Sequence, residues 1–178
     1  MLSRAYVSVD VETAGPNPGT YSMLSIGACL VADPQRAFYV ELQPVNRNAT
    51  HGALEMCRLA LDELAERGAP PAEAMARFEA WLAAEVPAGQ QPIFVGFNAS
   101  FDWMFVNDYF HRYLGRNPFG SSALDIKAFY MGLAGVEWIE TKMRLVAARY
   151  GIEGELTHHA LEDAQAQAEL FYRMLADR

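Results

Sequence analysis

Ala5-Tyr6-Val7-Ser8-Val9-Asp10-Val11-Glu12 alternates apolar and polar residues through its length. Side chains on a strand point to opposite faces in turn, so Val7, Val9 and Val11 line one face and Tyr6, Ser8, Asp10 and Glu12 the other. One face is made to meet a core; the other carries two carboxylates. Asp10 and Glu12 point the same way, with α-carbons roughly 7 Å apart. Carboxylates held side by side repel unless they share a proton or a cation. The pair is thus a candidate chemical element, or else an ordinary solvated strand face.

Outward from this strand, Gly15-Pro16-Asn17-Pro18-Gly19 is turn-rich, and a second strand is expected over 23–31. Asp33-Pro34-Gln35 reads as a short turn, followed by a third strand over 37–42. Three strands with short links predict an antiparallel meander. The middle of the chain is helical, with a short helix expected over 52–60 and a longer one over 71–86. In the longer one, Pro71 suits the start, while Met75, Phe78, Leu82 and Val86 form an apolar stripe. Residues 92–97 (Pro-Ile-Phe-Val-Gly-Phe) read as a buried strand, 99–114 as a helix and 123–126 as a last strand. Ile139, Met143, Val146 and Tyr150 predict one further helix, and Leu161, Ala164, Ala168, Phe171 and Leu175 the final one. Strands followed by alternating helices and strands predict an α/β or α+β fold, a mixed sheet flanked by helices. With no repeats or linker, residues 1–178 are expected to form a single domain.

Composition narrows the classes. A chain of 178 residues, 52% hydrophobic and 20% charged, can bury a full core. Its longest mostly apolar stretch, 23–32, is about half what a membrane-spanning helix needs. The N-terminus runs straight into a strand pattern, leaving no signal-peptide core, so a cytoplasmic protein without membrane partners is expected. Cys29 and Cys57 have no short metal-type spacing and read as buried reduced thiols. Acids outnumber bases 22 to 14, giving a net charge of −8. That argues against coating long nucleic acid with a broad basic surface, but not against a nuclease built on carboxylates.

Two further segments carry chemistry. Asp102 lies in Phe97-Asn98-Ala99-Ser100-Phe101-Asp102, in the first turn or so of a helix that follows a buried strand. A carboxylate there is favoured by the helix dipole, with or without a second role. Thr157-His158-His159-Ala160-Leu161-Glu162-Asp163 opens the last helix, with Thr157 or His158 as the expected N-cap. His159 and Asp163, four apart, would share a helical face. His158 and Asp163 are five apart, about 140° around an ideal helix. They converge only if His158 lies at or before the cap.

Asp10-x-Glu12, Phe97-Asn98-x-x-Phe101-Asp102 and His158-x-Ala160-Leu161-x-Asp163-Ala164, in this order, resemble the DEDD-type 3′→5′ exonucleases with a catalytic histidine. Asp10-Val11-Glu12-Thr13-Ala14-Gly15 is most similar to the ribonuclease T and proofreading branches. The likeness runs from Val7 to about Leu175. It implies a ribonuclease-H-like fold with a mixed five-stranded sheet. It also implies that Asp10, Glu12, Asp102 and Asp163 bind two divalent cations and that His158 is the general base. Hard carboxylate oxygens suit Mg²⁺ or Mn²⁺, and a histidine near neutrality can take a proton from water. Thr13, His51 (in Thr50-His51-Gly52) and Asn98 are substrate-binding candidates by the same likeness; Phe101, like Trp103, is a candidate surface for stacking on bases, with core packing the favoured alternative. Pro16 departs from the family, where a bulky apolar residue often follows the glycine. Phe97 replaces a frequent histidine and is expected only to pack.

The resemblance implies release of nucleoside 5′-monophosphates from the 3′ ends of short single-stranded nucleic acid, RNA slightly before DNA. A DNA exonuclease of repair or proofreading type is the alternative, and a non-catalytic adaptor on the same fold a further one. Freestanding relatives are commonly homodimers, so a homodimer is a further expectation.

Overall fold

The computed structural model describes residues 3–152 and 156–177. The opening alternation forms β1 (Ser3–Thr13), and β2 (Met23–Leu30) and β3 (Asp33–Glu41) follow as the expected meander. Helices α1 (His51–Cys57), α2 (Leu61–Arg67) and α3 (Pro71–Glu85) then carry the chain across to β4 (Gln90–Gly96). Helix α4 (Ala99–Leu114) leads to β5 (Ala123–Asp125), and α5 (Ile126–Ala134), α6 (Met143–Arg149) and α7 (Ala160–Ala176) complete the fold. The sheet order is β3-β2-β1-β4-β5. β2 runs antiparallel to both β1 and β3; β4 and β5 run parallel to β1. Parallel neighbours need long crossovers, which the helices supply. This is the mixed five-stranded, ribonuclease-H-like sheet that the motifs implied.

The alternation in β1 divides the core. Val7, Val9 and Val11 join Ile26, Ala28 and Val40 beneath α3 and α4, around Phe78, Phe105 and Phe110. On the other face, Cys29 and Val95 meet Phe171, Leu170 and Met174 of α7 and Ile126 and Tyr130 of α5. Both cysteines are buried and free. No helix among the described residues is long and apolar enough to cross a membrane.

Several local readings are corrected. Asp33-Pro34-Gln35 is not a turn: Asp33 already pairs with Leu30, and the turn is confined to Val31 and Ala32. A proline is tolerated there because β3 is an edge strand. The short helix expected over 52–60 ends at Cys57, where Arg58 turns left-handed (φ 56°), and α2 was not foreseen. Nor was α5, whose start is capped by the Asp125 carboxylate accepting from the Ala128 amide at 2.8 Å. The single helix expected through Ile139 and Tyr150 is split. Glu137 and Glu140 cap each other around a 3₁₀ turn (Trp138–Glu140), and the Thr141 hydroxyl donates to the Trp138 carbonyl at 2.8 Å. Ile139 is left 65% exposed, outside any stripe.

Candidate active site

Among the described residues, β1 is paired with β4 from Ser3 to Ser8. Beyond Val9 its amides on that edge have no strand partner among the described residues, and a buried orphan amide is unfavourable. Asp102 takes one of them: its Oδ1 accepts from the Val11 amide at 3.1 Å, between Asp10 and Glu12. The chain reaches this point by a sharp turn. β4 ends at Gly96, Asn98 adopts a left-handed conformation (φ 67°), and α4 begins at Ala99. Asp102 therefore lies in the first turn of α4 and is buried against β1.

The last helix arrives from the other side of β1. A Cβ at Gly27 would lie 2.2 Å from the Ala160 and Leu161 backbone, so only glycine lets α7 rest there. Gly27 pairs with Asp10, which places the helix start beside that carboxylate. The N-cap is His159, not Thr157 or His158, and His158 precedes it with φ 58°. That meets the condition for the five-residue spacing to close. Asp163 reaches back over the turn: Oδ1 accepts from the Thr157 amide (2.8 Å) and hydroxyl (3.2 Å), and Oδ2 from the His158 amide (3.0 Å). One ligand-type atom from each of Glu12, His158 and Asp163 lies within 4.8 Å of the other two.

The carboxylates repel one another in a partly dry setting. Burial first, then the charges of Asp102, Glu12 and Asp163, hold the Asp10 carboxyl well above its ordinary range. Burial, then Asp163, pushes Glu12 up to about 7. Burial pushes Asp102 up to about 8; the Val11 amide and its own backbone amide oppose this, and Glu12 and Asp125 add to it. An acid cluster that retains protons near neutrality is one whose repulsion a cation would relieve. Its donors are hard oxygens, the chemistry that suits Mg²⁺ or Mn²⁺.

Gln167 was not foreseen. Its Nε2 donates to Asp10 Oδ1 at 2.7 Å and its Oε1 accepts from the Phe97 amide at 2.9 Å, tying α7 to both β1 and β4. The available signal was its position one turn after Asp163, a polar residue on the otherwise apolar stripe of Ala164 and Ala168.

Beside Glu12 is a cavity of about 260 Å³, lined by Thr13, Pro16, Thr50, Gly52, Met56 and Phe101 among others. Thr13 is buried and its hydroxyl donates to the Gly15 carbonyl at 2.9 Å. Phe101 faces this cavity and also packs on Phe105, with ring centroids 5.5 Å apart. Trp103 meets Phe94 edge-on at 5.3 Å, and Phe97 packs on the α7-side core. His51 is drawn away from the cavity, its Nε2 3.0 Å from Glu55. Asn98 is exposed at the start of α4 and makes no side-chain cap bond. Two larger cavities, about 570 Å³ each, lie against α3 and β4 and against α7 and the β2–β3 turn, and none of the four acids lines either.

Known proteins show the same arrangement of chain. The RNase_T exonuclease family model matches residues 7–171. The 3′-5′ DNA exonuclease Cap18 of Escherichia coli is 48% identical over 166 residues, covering 93% of this chain and 89% of that protein. Among solved structures, the nuclease domain of 3′hExo, a DEDDh family member bound to rAMP, superposes with a TM-score of 0.80 at 16% identity, covering 98% of this chain and 93% of that one. Escherichia coli exonuclease I in complex with a dT13 oligonucleotide gives 0.74 at 18% identity, covering 96% of this chain and 40% of that one. Fold, family model and a relative sharing nearly half its residues agree: the chain belongs to the RNase_T exonuclease family and is a DEDD-type 3′→5′ exonuclease.

Proposed function

We propose that this exonuclease is metal-dependent, acts on 3′ ends of short single-stranded DNA and releases nucleoside 5′-monophosphates, with residues 1–178 as one catalytic domain. The observation that carries the reading is the meeting of Glu12, His158 and Asp163 within 4.8 Å, brought together from β1 and from the turn and helix at the far end of the chain. DNA replaces the expected RNA preference because the 48% identical relative is named as a DNA exonuclease. The net charge of −8 favours short single strands over long duplex.

Asp10, Glu12, Asp102 and Asp163 would hold two divalent cations, Mg²⁺ or Mn²⁺, which when bound neutralise phosphate charge and make water a better nucleophile. The remaining work belongs to the chain. His158 Nδ1 or Nε2 takes the proton from the attacking water. Asp163 holds the His158 amide at 3.0 Å and so fixes where that ring starts. Gln167 orients Asp10, and Asp102 locks the end of β1 through the Val11 amide. Phe101 and Met56 offer apolar surface to a terminal base in the cavity beside Glu12.

The test is product analysis on matched short DNA and RNA oligomers with 3′-hydroxyl ends. Stepwise 5′-mononucleotides from DNA, abolished by chelator and restored by Mg²⁺ or Mn²⁺, are expected. Undiminished activity in excess chelator, or cuts in circular single strands, overturns the mechanism; faster RNA turnover overturns the substrate reading.

A further inference from the structure

We infer that Tyr39 is a positioning residue for His158, acting through the ring of His159. His158 has a left-handed backbone (φ 58°), which a residue with a side chain holds only where its surroundings impose it. Its neighbour His159 is the N-cap of α7 yet makes no side-chain bond to the helix end, so the usual restraint at a cap is missing. The His159 ring lies instead almost flat on Tyr39, with centroids 4.6 Å apart and planes inclined by 22°.

Tyr39 is itself anchored. Its hydroxyl donates to Glu41 Oε1 at 3.0 Å, and Glu41 pairs with Arg67 at 3.2 Å. Burial, then Glu41, holds the phenol above its ordinary range, so it remains a donor. The sheet register explains the meeting. Asp10, Gly27 and Tyr39 form one row across β1, β2 and β3, and the first residues of α7 rest on Gly27. The helix start is bracketed by Asp10 on one side and Tyr39 on the other. If the His159 ring leaves Tyr39, the turn at His158 loses this lateral contact and keeps its bonds to Asp163, so the His158 ring is less firmly placed.

This inference rests on His158 being the base, so the experiment includes His158→Ala beside Tyr39→Ala, Tyr39→Phe, His159→Ala and the Tyr39→Ala/His159→Ala double variant. Tyr39→Ala and His159→Ala are each expected to lower kcat about tenfold with KM nearly unchanged, since a misplaced catalytic group loses rate rather than affinity. Tyr39→Phe, which keeps the stack, recovers most of that loss. The double variant is no slower than the worse single variant, because both remove the same contact. In metal-free protein, the Thr157 and His158 amides, which donate to Asp163, exchange faster in Tyr39→Ala than in Tyr39→Phe. Unchanged kcat in both single alanine variants, multiplied losses in the double variant, or Tyr39→Phe as slow as Tyr39→Ala overturns the inference and leaves the site reading intact. Full activity in His158→Ala overturns the site reading, and the inference with it.

Discussion

Asp102→Asn separates the two tasks that the structure loads onto one side chain. The amide keeps an Oδ1 that can accept from the Val11 amide, as the carboxylate does at 3.1 Å, and removes the charge. The Asp102 carboxyl is pushed from 3.8 to about 8, chiefly by burial. Below about pH 4 the folded and unfolded chains both carry this proton, and the group is neutral to stability. Between there and about pH 8 the unfolded chain ionises first, so the stability of the unmodified protein falls as pH rises through the window. At about 1.4 kcal/mol per pH unit the full displacement sets a ceiling of about 6 kcal/mol. Repulsion shared with the neighbouring acids, and relaxation, reduce the part that one substitution recovers to on the order of 2 kcal/mol. In a chain of this size that is a rise of about 4–8 °C in Tm. The assay is thermal melting from pH 4 to 8.5 in chelator and again with Mg²⁺ or Mn²⁺. Expected are an inactive variant, a Tm above that of the unmodified protein at pH 8, a gap that closes toward pH 4, and a smaller metal-induced rise. Asp102→Ala abandons the Val11 amide at a cost of about 1–3 kcal/mol and should melt below Asp102→Asn. If Asp102→Asn melts clearly below the unmodified protein at pH 8 in chelator, Asp102 is a structural residue at the start of α4 and its ligand role fails.

His158→Ala should lose roughly 10²–10⁴-fold in kcat, the range for a general base, while the metal-induced Tm shift survives; His159→Ala should lose far less, and equal losses in single-turnover assays would reassign the base. Because Glu12 is pushed up to about 7, it must shed a proton to ligate, so Mg²⁺ or Mn²⁺ should bind tighter at pH 8 than at pH 6 and release protons on binding. Calorimetry in two buffers of different ionisation enthalpy measures this, and pH-independent affinity would contradict it. Substrate affinity should weaken gently with salt, since Arg36, Arg47, Arg67, Arg77, Arg112, Arg116 and Arg173 already face carboxylates. A slope of about −1.4 to −2.1 in log K against log salt, equivalent to two or three phosphate contacts, is expected by fluorescence anisotropy, and a much steeper one would reveal a basic groove.

The strands and long helices were legible because their signals are periodic and local. The alternation of β1 and the stripe of α3 depend on which residues meet the core, and hardly on what they meet. Short elements carry no such signal. In α5 and the split segment before α6, caps decide: the Asp125 carboxylate starts one helix, and Glu137 with Glu140 closes a single turn, while the seven-residue α2 has no side-chain cap at its start. Such caps are made by particular hydrogen bonds, which composition does not reveal.

The sequence by itself determined the chemistry on offer: two acids on one strand face, an acid at a helix start, and a histidine five residues ahead of another acid. Only the tertiary structure decided how these meet. Gly27 lets α7 approach the sheet, His158 turns back ahead of the His159 cap, and Asp102 finds the Val11 amide where β4 stops pairing. Gln167 and Tyr39 acquire their places only there, because each acts on a residue far away in the chain. Periodicity reports what a side chain is; the sheet register and the close approach of one helix determine what it touches.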